Sequence, residues 1–148
     1  MYNNFTSDNE FNRKRCGEGK MMFPINATRT LIDKCDAAQE RFFEAREQDL
    51  TYDFFEVVKP YADETRDELI AWREQMIQFI NEYYPKNLYL QQIDHAIDAM
   101  EQFVVQSFYQ QTSKKRFLQS IQSVKYTLTV AMKKMQEVQN SANEKEDD

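Results

Sequence analysis

The chain offers few side chains that could support metal or covalent chemistry. Its one histidine, His95, follows Gln92 at the spacing where a di-iron bundle would carry the glutamate of a Glu-x-x-His pair. The two cysteines, Cys16 and Cys35, lie in separate parts of the chain and neither belongs to a CxxC pair, which disfavours a zinc site. We therefore expect no bound metal and no cofactor, and we expect His95 at a surface or boundary position.

Nucleophilic and phosphate chemistry have equally little support. A Ser–His pair needs a third residue to orient the histidine, and the serines here share a single histidine. Gly17 and Gly19 are the only glycines in the sequence, so a nucleophile elbow and a phosphate-binding glycine loop are both excluded. Asp and Glu are abundant, but abundance alone does not indicate acid–base catalysis. The sequence predicts no catalytic residues and a protein that is not an enzyme.

Length and composition favour one helical domain. The 148 residues include 41% hydrophobic and 14% aromatic side chains, enough for a substantial core. Two glycines and three prolines are too few for the turns of a β-sandwich or barrel. The net charge of −6 disfavours general binding to nucleic acid or anionic lipid. No membrane span or signal peptide is visible, and the cysteine usage favours a cytoplasmic location.

The stretch from Ser113 to Val138 has the clearest helical pattern. Its apolar residues step alternately by four and three positions, which predicts a helix packed along its length against other helices. These residues are Phe117, Ile121, Val124, Leu128, Ala131, Met135 and Val138. Ser113 is expected to cap the first turn. Residues 113–136 carry six cations and no acids, which leaves −12 on the rest of the chain and makes acidic neighbours available.

The same spacing predicts three further helices. The first covers about 26–48, the second about 60–83, and the third runs from Asn87, its expected cap, to about Phe108. Their apolar stripes are Leu31, Cys35, Ala38, Phe42 and Ala45; Leu69, Trp72, Met76, Ile80 and Tyr83; and Leu90, Ile93, Ile97, Met100, Val104 and Phe108. Short connections predict antiparallel neighbours. The predicted fold is all-α, an up-and-down antiparallel four-helix bundle with disordered terminal tails.

The bundle is assigned to residues 22–140 and is flanked by two polar segments. Residues 1–21 are read as a disordered N-terminal extension, and residues 141–148 as an acidic disordered tail. The codons of Gly17-Glu18-Gly19 follow GGN-GAR-GGN, which resembles a bacterial ribosome-binding site shortly before Met21 and Met22. One hypothesis is therefore a native start at Met21 or Met22, and the other is a genuine disordered tail.

The segment TYDFFEVVKP, residues 51–60, is expected to form a short helical turn followed by a kink. Lys59 precedes a proline and is biased away from the helical region, so the turn should end near Val58. Tyr52, Phe54 and Phe55 cannot all face the same way in so short a turn. The segment is either a lid packed on the core or an exposed aromatic binding surface, and both interpretations stay open.

A basic cluster, Lys114-Lys115-Arg116, opens the last predicted helix, where the helix dipole disfavours positive charge. It could be paired internally, solvated, or used for a negatively charged partner. The candidate interaction patch is Tyr52, Phe54, Phe55, Lys114, Lys115, Arg116 and Tyr126. Two tyrosines near a few lysines give little support for stacking on nucleic-acid bases, so nucleic-acid binding is the weaker interpretation.

Two strings of sequence resemble a known bacterial family. YDFFEVVKP at 52–60, together with KKRF at 114–117 and SVKYTL at 123–128, is similar to the YppE-like family of Gram-positive bacteria. The resemblance covers roughly residues 28–137 and implies a small cytosolic four-helix bundle. It implies no activity, because the family is one of unknown function. The N-terminal extension is a departure from the family pattern.

These observations favour a non-catalytic cytosolic module that binds an unknown protein partner through the 52–60 end, the basic start of the last helix, or both. A second copy of the chain is among the partners considered, and no membrane contact is expected. The alternative is a small-molecule-binding bundle or enzyme with a pocket lined by Trp72, Met76 and Met100. A nucleic-acid contact through the basic helix is a weaker alternative.

Overall fold

The computed structural model describes residues 23–146 of the chain, and the side chains of residues 23–142. This range contains four α-helices and no strand: α1 (Ile25–Glu47), α2 (Lys59–Tyr83), α3 (Leu90–Gln106) and α4 (Lys114–Glu146). A π-helical turn, Phe54–Val58, directly precedes α2. The predicted all-α bundle is confirmed. The predicted extension 1–21 lies outside the described residues, as does the proposed start at Met21 or Met22.

The apolar stripes of the four helices meet in one core. α4 packs closely against both α1 and α3, and α2 packs against α3. The predicted seam of α4 is confirmed, since six of its residues are buried and Val138 is half-buried at the edge of the core. No helix within residues 23–146 is both long and apolar enough to span a membrane.

A three-ring contact joins α1, α3 and α4 in the core. The Phe42 and Phe117 rings are stacked, with centroids 4.1 Å apart and planes 10° from parallel. Phe103 meets the Phe117 ring edge-on, with centroids 6.2 Å apart. All three side chains are fully buried. Such aromatic pairs contribute beyond their buried area, so this contact is a major part of the core.

A buried hydrogen-bond chain ties the start of α1 to α2. The Trp72 indole N–H donates to the Thr28 hydroxyl oxygen at 2.8 Å, and that hydroxyl donates to the Pro24 carbonyl at 2.6 Å. Both Trp72 and Thr28 are fully buried. The threonine therefore satisfies an indole N–H that water cannot reach.

Replacing Thr28 by valine should destabilise the protein by about 1–3 kcal/mol, because the isosteric change leaves the Trp72 N–H buried without an acceptor. Urea denaturation measures the loss. Thr30→Val is the matched control on the same helix, since the Thr30 hydroxyl is exposed and donates to the Asn26 carbonyl. That variant should stay within about 0.5 kcal/mol of the parent. Equal stability of the two variants would contradict the role given to Thr28.

The short helical turn ends at Val58, as predicted, but the predicted departure of Lys59 from the helical region is wrong. Lys59 has helical dihedral angles, φ −63° and ψ −49°, and its backbone N–H donates to the Phe54 carbonyl. The π-helical turn therefore passes directly into α2. Pro60 lies in the first turn of α2, where proline is tolerated, and the hydrogen bond from the Lys59 N–H holds that residue in the helical region against the pre-proline bias.

The predicted cap of the third helix is also wrong. Asn87 has φ 64° and lies in the turn between α2 and α3, a left-handed conformation that asparagine tolerates better than most residues. α3 begins only at Leu90, where the Gln92 side-chain oxygen accepts the Tyr89 backbone N–H at 2.9 Å. That glutamine side chain, three residues after the cap, provides the capping contact.

The two ends of α4 differ in how well the sequence predicts them. Ser113 accepts the Arg116 backbone N–H at 3.5 Å, as expected of its cap. At the other end the helix continues to Glu146. Residues 141–146, which the sequence assigns to a disordered acidic tail, are therefore helical. Polar sequence at the end of a long helix is compatible with helix when good helix formers such as Glu and Lys are present.

Candidate functional site

The structure separates the aromatic members of the predicted patch. Tyr52 is half-buried and meets the Phe108 ring edge-on, with centroids 5.1 Å apart. Phe54 and Phe55 are 46% and 76% exposed and contact each other edge-on at 5.2 Å. The two interpretations of the segment therefore divide by residue: Tyr52 and Val58 pack inward as a lid, whereas Phe54 and Phe55 form an exposed aromatic pair.

The basic members of the patch also diverge. The Lys114 ammonium lies 5.4 Å from the centre of the Phe43 ring on α1, whereas Arg116 faces the side of α4 next to α3. Lys115 is exposed. Tyr126 is 71% exposed and lies about 15 Å further along the helix axis from Arg116. The seven residues of the predicted patch therefore do not form one continuous surface, although Arg116 and Tyr126 line adjoining hollows between α3 and α4.

Acidic neighbours satisfy only part of the positive charge of α4. Lys125 forms an ion pair with Asp36 of α1 at 2.6 Å, and Lys134 pairs with Glu137 in its own helix at 3.7 Å. Within residues 23–142, Arg116 and Lys133 form no ion pair. Half-exposed pairs contribute at most about 1 kcal/mol, so these contacts orient side chains more than they stabilise the fold.

Two adjoining hollows form a continuous depression between α3 and α4, which we call the α3–α4 furrow. The larger hollow, about 780 Å³, is lined by Tyr89, Gln91, Gln92, His95, Ala96, Ala99, Arg116, Gln119, Ser120, Ser123, Val124 and Thr127. The smaller hollow, about 250 Å³, is lined by Asn87, Leu88, Gln92, Tyr126, Thr127, Val130, Lys133 and Lys134. The two share Gln92 and Thr127, so they belong to one surface.

Among the residues whose side chains the structure describes, the lining of the furrow contains basic side chains and no carboxylate. Two acids of α3 instead contact α2, where Arg73 lies 2.6 Å from Asp94 and Arg66 lies 3.9 Å from Glu101. The hydrogen bond from Arg73 holds the pKa of Asp94 below its usual range, with the arginine charge adding to the effect. On α3, Asp94 and Glu101 are thus directed toward α2, whereas His95 lies on the side next to α4.

The side chains expected to line a pocket inside the bundle do not line the furrow. Trp72, Met76 and Met100 are fully buried in the core. The furrow was not predicted from the sequence, because the apolar stripes suggested only a pocket inside the bundle. A usable signal was present in the small residues that flank these stripes on the two facing helices, Ala96, Ala99, Ser120 and Ser123.

A second polar cluster fills the space between α1, α2 and the turn after α3. The Arg41 guanidinium lies over the Tyr61 and Phe108 rings, 4.5 and 4.3 Å from their centres, and donates to the Ser107 hydroxyl at 2.7 Å. The Lys34 ammonium contacts Glu68 at 3.1 Å. These interactions join one helix to the next and have the character of packing contacts, since each cation is already partnered.

The two side chains best suited to chemical reactions, Cys35 and His95, are not brought together by the fold. Cys35 is buried on the core face of α1, and burial raises the pKa of its thiol to about 12, with Asp36 adding to the rise and Lys125 opposing it. His95 is exposed in the furrow. Within the described residues, no three His, Cys, Asp or Glu side chains converge on a metal-binding position.

Comparison with known proteins gives the family. Residues 28–135 match the profile of a bacterial domain of unknown function, DUF1798. The chain belongs to the DUF1798 family. This DUF1798 chain is 34% identical over 105 residues to the uncharacterised protein YppE of Bacillus subtilis, covering 70% of the chain and 85% of that relative. The resemblance predicted from the two sequence strings is confirmed.

Solved structures share the fold of this chain. The crystal structure of B. subtilis YppE superimposes with a TM-score of 0.76 at 28% identity, covering 78% of this chain and 94% of that one. A Listeria innocua protein of unknown function gives a TM-score of 0.74 at 27% identity, covering 78% and 93%. These similarities show the fold and the family, and they assign no function.

Proposed function

We propose that this DUF1798 protein is a non-catalytic, cytoplasmic interaction module that binds a protein partner through the Phe54–Phe55 pair. The observation that carries the proposal is the exposure of two adjacent aromatic rings, 46% and 76%, on a regular turn of the backbone. Exposed aromatic clusters are enriched at protein–protein interfaces and provide many of their strongest contacts.

The turn beneath these rings is anchored on both sides. The Asp53 carboxylate accepts the Glu56 backbone N–H at 2.8 Å, and the Asp53 carbonyl accepts the Val57 and Val58 N–H groups at 3.0 and 3.2 Å. Val58 is fully buried. An anchored turn lowers the entropy lost when a partner orders its contact surface. π-helical turns of this kind are frequent at functional sites.

The placement of the chemically capable groups supports a non-catalytic role. The Cys35 thiol faces the core and His95 lies in the furrow between α3 and α4, so neither is positioned to activate the other. A free buried cysteine also suits a reducing compartment, which supports the cytoplasm as the location. The proposal therefore rests on a contact surface and on no reacting group.

Photo-crosslinking in the native bacterium tests this surface. A benzophenone amino acid at position 55 should crosslink to one discrete partner, because the ring at this position faces outward. Position 84 is the control, since Tyr84 is 81% exposed in the turn that follows α2, at the opposite end of that helix. Phe54→Ala should reduce the crosslink at position 55 by about tenfold or more, as expected for an interface anchor.

Thermal stability separates this proposal from the lid interpretation. Phe54→Ala and Phe55→Ala should each change the unfolding free energy by about 0.5 kcal/mol or less, because the rings are already exposed to water. Equal crosslinking from positions 55 and 84 would contradict the proposal. A large stability loss in Phe54→Ala with an unchanged crosslink would instead show that the ring is part of the packed lid.

A further inference from the structure

We propose that the α3–α4 furrow is a second docking site and that its occupant is an acidic amphipathic helix of a partner protein. The inference goes beyond the role proposed for the Phe54–Phe55 pair, because it concerns a different surface and would stand without that role. It rests on the shape of the furrow, on the sign of its charges and on the groups left unpaired along its walls.

The shape is that of a trough between two helices. On α4 the lining extends from Arg116 to Lys134, which corresponds to about 27 Å at 1.5 Å per residue. On α3 it extends from the turn before the helix to Ala99. The two walls are antiparallel helices, and small side chains, Ala96, Ala99, Ser120 and Ser123, lie between them. A long trough of this kind accepts a third helix laid along it.

The positive charges in the furrow favour an occupant with negative charge. The ionisable lining groups are His95, Arg116, Lys133 and Lys134, apart from the tyrosine hydroxyls. Of the three permanent cations, Lys134 is the only one that forms an ion pair within residues 23–142, with Glu137 at 3.7 Å. Arg116 and Lys133 therefore present unpaired positive charge near the two ends of the trough, on a protein whose net charge is −6. Carboxylates spaced along one helix would complement both.

The uncharged lining favours a helix with an apolar face. Amide and hydroxyl side chains along the walls can donate hydrogen bonds to carboxylates, and they belong to Gln91, Gln92, Gln119, Ser120 and Ser123. Between them, the half-buried Val130 and the exposed rings of Tyr89 and Tyr126 offer apolar contacts. A peptide that alternates acidic and apolar side chains at helical spacing matches both kinds of surface.

A nucleic acid matches this surface less well. A strand long enough to fill the trough carries a charge on every phosphate and extends past both ends toward a protein body of net charge −6, where it is repelled. Two unpaired cations can balance two carboxylates, whereas they balance only part of such a strand. The charge balance therefore favours a short acidic helix.

The test uses two labelled helical peptides of about 18 residues. One carries Glu along a single face beside Ala and Leu, and the other carries Lys at the same positions. Fluorescence anisotropy with the full chain should give at least about tenfold tighter binding for the Glu peptide, with affinity falling as salt is raised. Equal binding of the two peptides would overturn the proposal.

Two matched pairs of variants locate the binding. Arg116→Glu should weaken the Glu peptide about tenfold or more, whereas Lys115→Glu makes the same charge change at an exposed neighbour outside the lining and should have less than about a twofold effect. Ser123→Trp should block the trough, whereas Gln122→Trp at the adjacent exposed position should not. Melting temperatures confirm that all four variants fold.

Other occupants give distinct results. Tighter binding of a short oligothymidine than of the Glu peptide would identify a nucleic-acid site and overturn the proposal. Self-association in sedimentation, lost only in Ser123→Trp, would identify a second copy of the chain and also overturn it. Loss of peptide binding in Phe54→Ala, with the furrow variants unaffected, would remove the furrow from consideration and leave the role of the Phe54–Phe55 pair standing.

Discussion

Phe117→Ala should lower the unfolding free energy by about 3–5 kcal/mol, because it removes a fully buried ring and leaves a cavity where three helices meet. The stacked ring of Phe42 and the edge-on ring of Phe103 lose their common neighbour. For a domain of this size the melting temperature should fall by roughly 10 °C. Urea denaturation followed by circular dichroism measures the change.

Phe55→Ala is the matched control for this prediction. It makes the same chemical change at a ring that is 76% exposed, so the expected loss is about 0.5 kcal/mol or less. The contrast between the two variants measures burial, since the number of atoms removed is identical. A loss in Phe117→Ala no greater than that in Phe55→Ala would contradict the packing described for the core.

Cys35 should react with a disulfide reagent such as Ellman's reagent about a thousandfold more slowly in the folded protein than in urea. Only the thiolate attacks, and burial raises the thiol pKa from 9.0 to about 12. Because the side chain is also fully buried, reagent access requires opening of the bundle. The measurement uses the Cys16→Ser variant at about pH 8, so that a single thiol is followed.

A relocated thiol provides the control. In Cys16→Ser/Cys35→Ala/Asp33→Cys the thiol lies at an exposed position of the same helix, and its rate should be within about tenfold of that in urea. Rapid labelling of Cys35 in the folded Cys16→Ser protein would show that the α1 stripe is open to solvent. That result would contradict the burial of Cys35 in the core of the bundle.

The same cysteine should make the stability of the protein fall as the pH rises above about 9. Its pKa in the folded state is higher than the ordinary value of 9.0, so above that pH the unfolded chain loses a proton that the folded chain keeps. Stability from this group is therefore complete below about pH 9 and is lost as the pH rises toward 12. Cys35→Ala should lose less stability than the parent over this interval.

The helical stripes could be predicted from the sequence because a period of three and four residues fixes which face is buried. In α4 the seam from Phe117 to Met135 is buried at each predicted position, and neither Gly nor Pro interrupts it. Periodicity depends on many residues at once, so one local exception does not alter the result. This is why the bundle was predictable when its individual boundaries were less so.

The predictions of helix boundaries were wrong where the local preference of one residue is outweighed by the structure around it. Asn87 is a good cap by type, but the turn between α2 and α3 needs a left-handed residue at that point, and asparagine suits both roles. Lys59 stays helical because the π-helical turn supplies its hydrogen bond. The furrow was missed for another reason, since it depends on which flanks of α3 and α4 face each other, and spacing along one helix cannot give that relation.

The packing of α1 against α4 has a consequence for the order in which the molecule is made. The Phe42–Phe117 stack and the Lys125–Asp36 ion pair join the first helix to the last. During translation α1 is complete long before α4 leaves the ribosome, so its apolar stripe has no final neighbour for most of synthesis. We therefore expect the core to close only after translation of α4, and we expect an incomplete chain that lacks this helix to expose apolar surface that chaperones recognise.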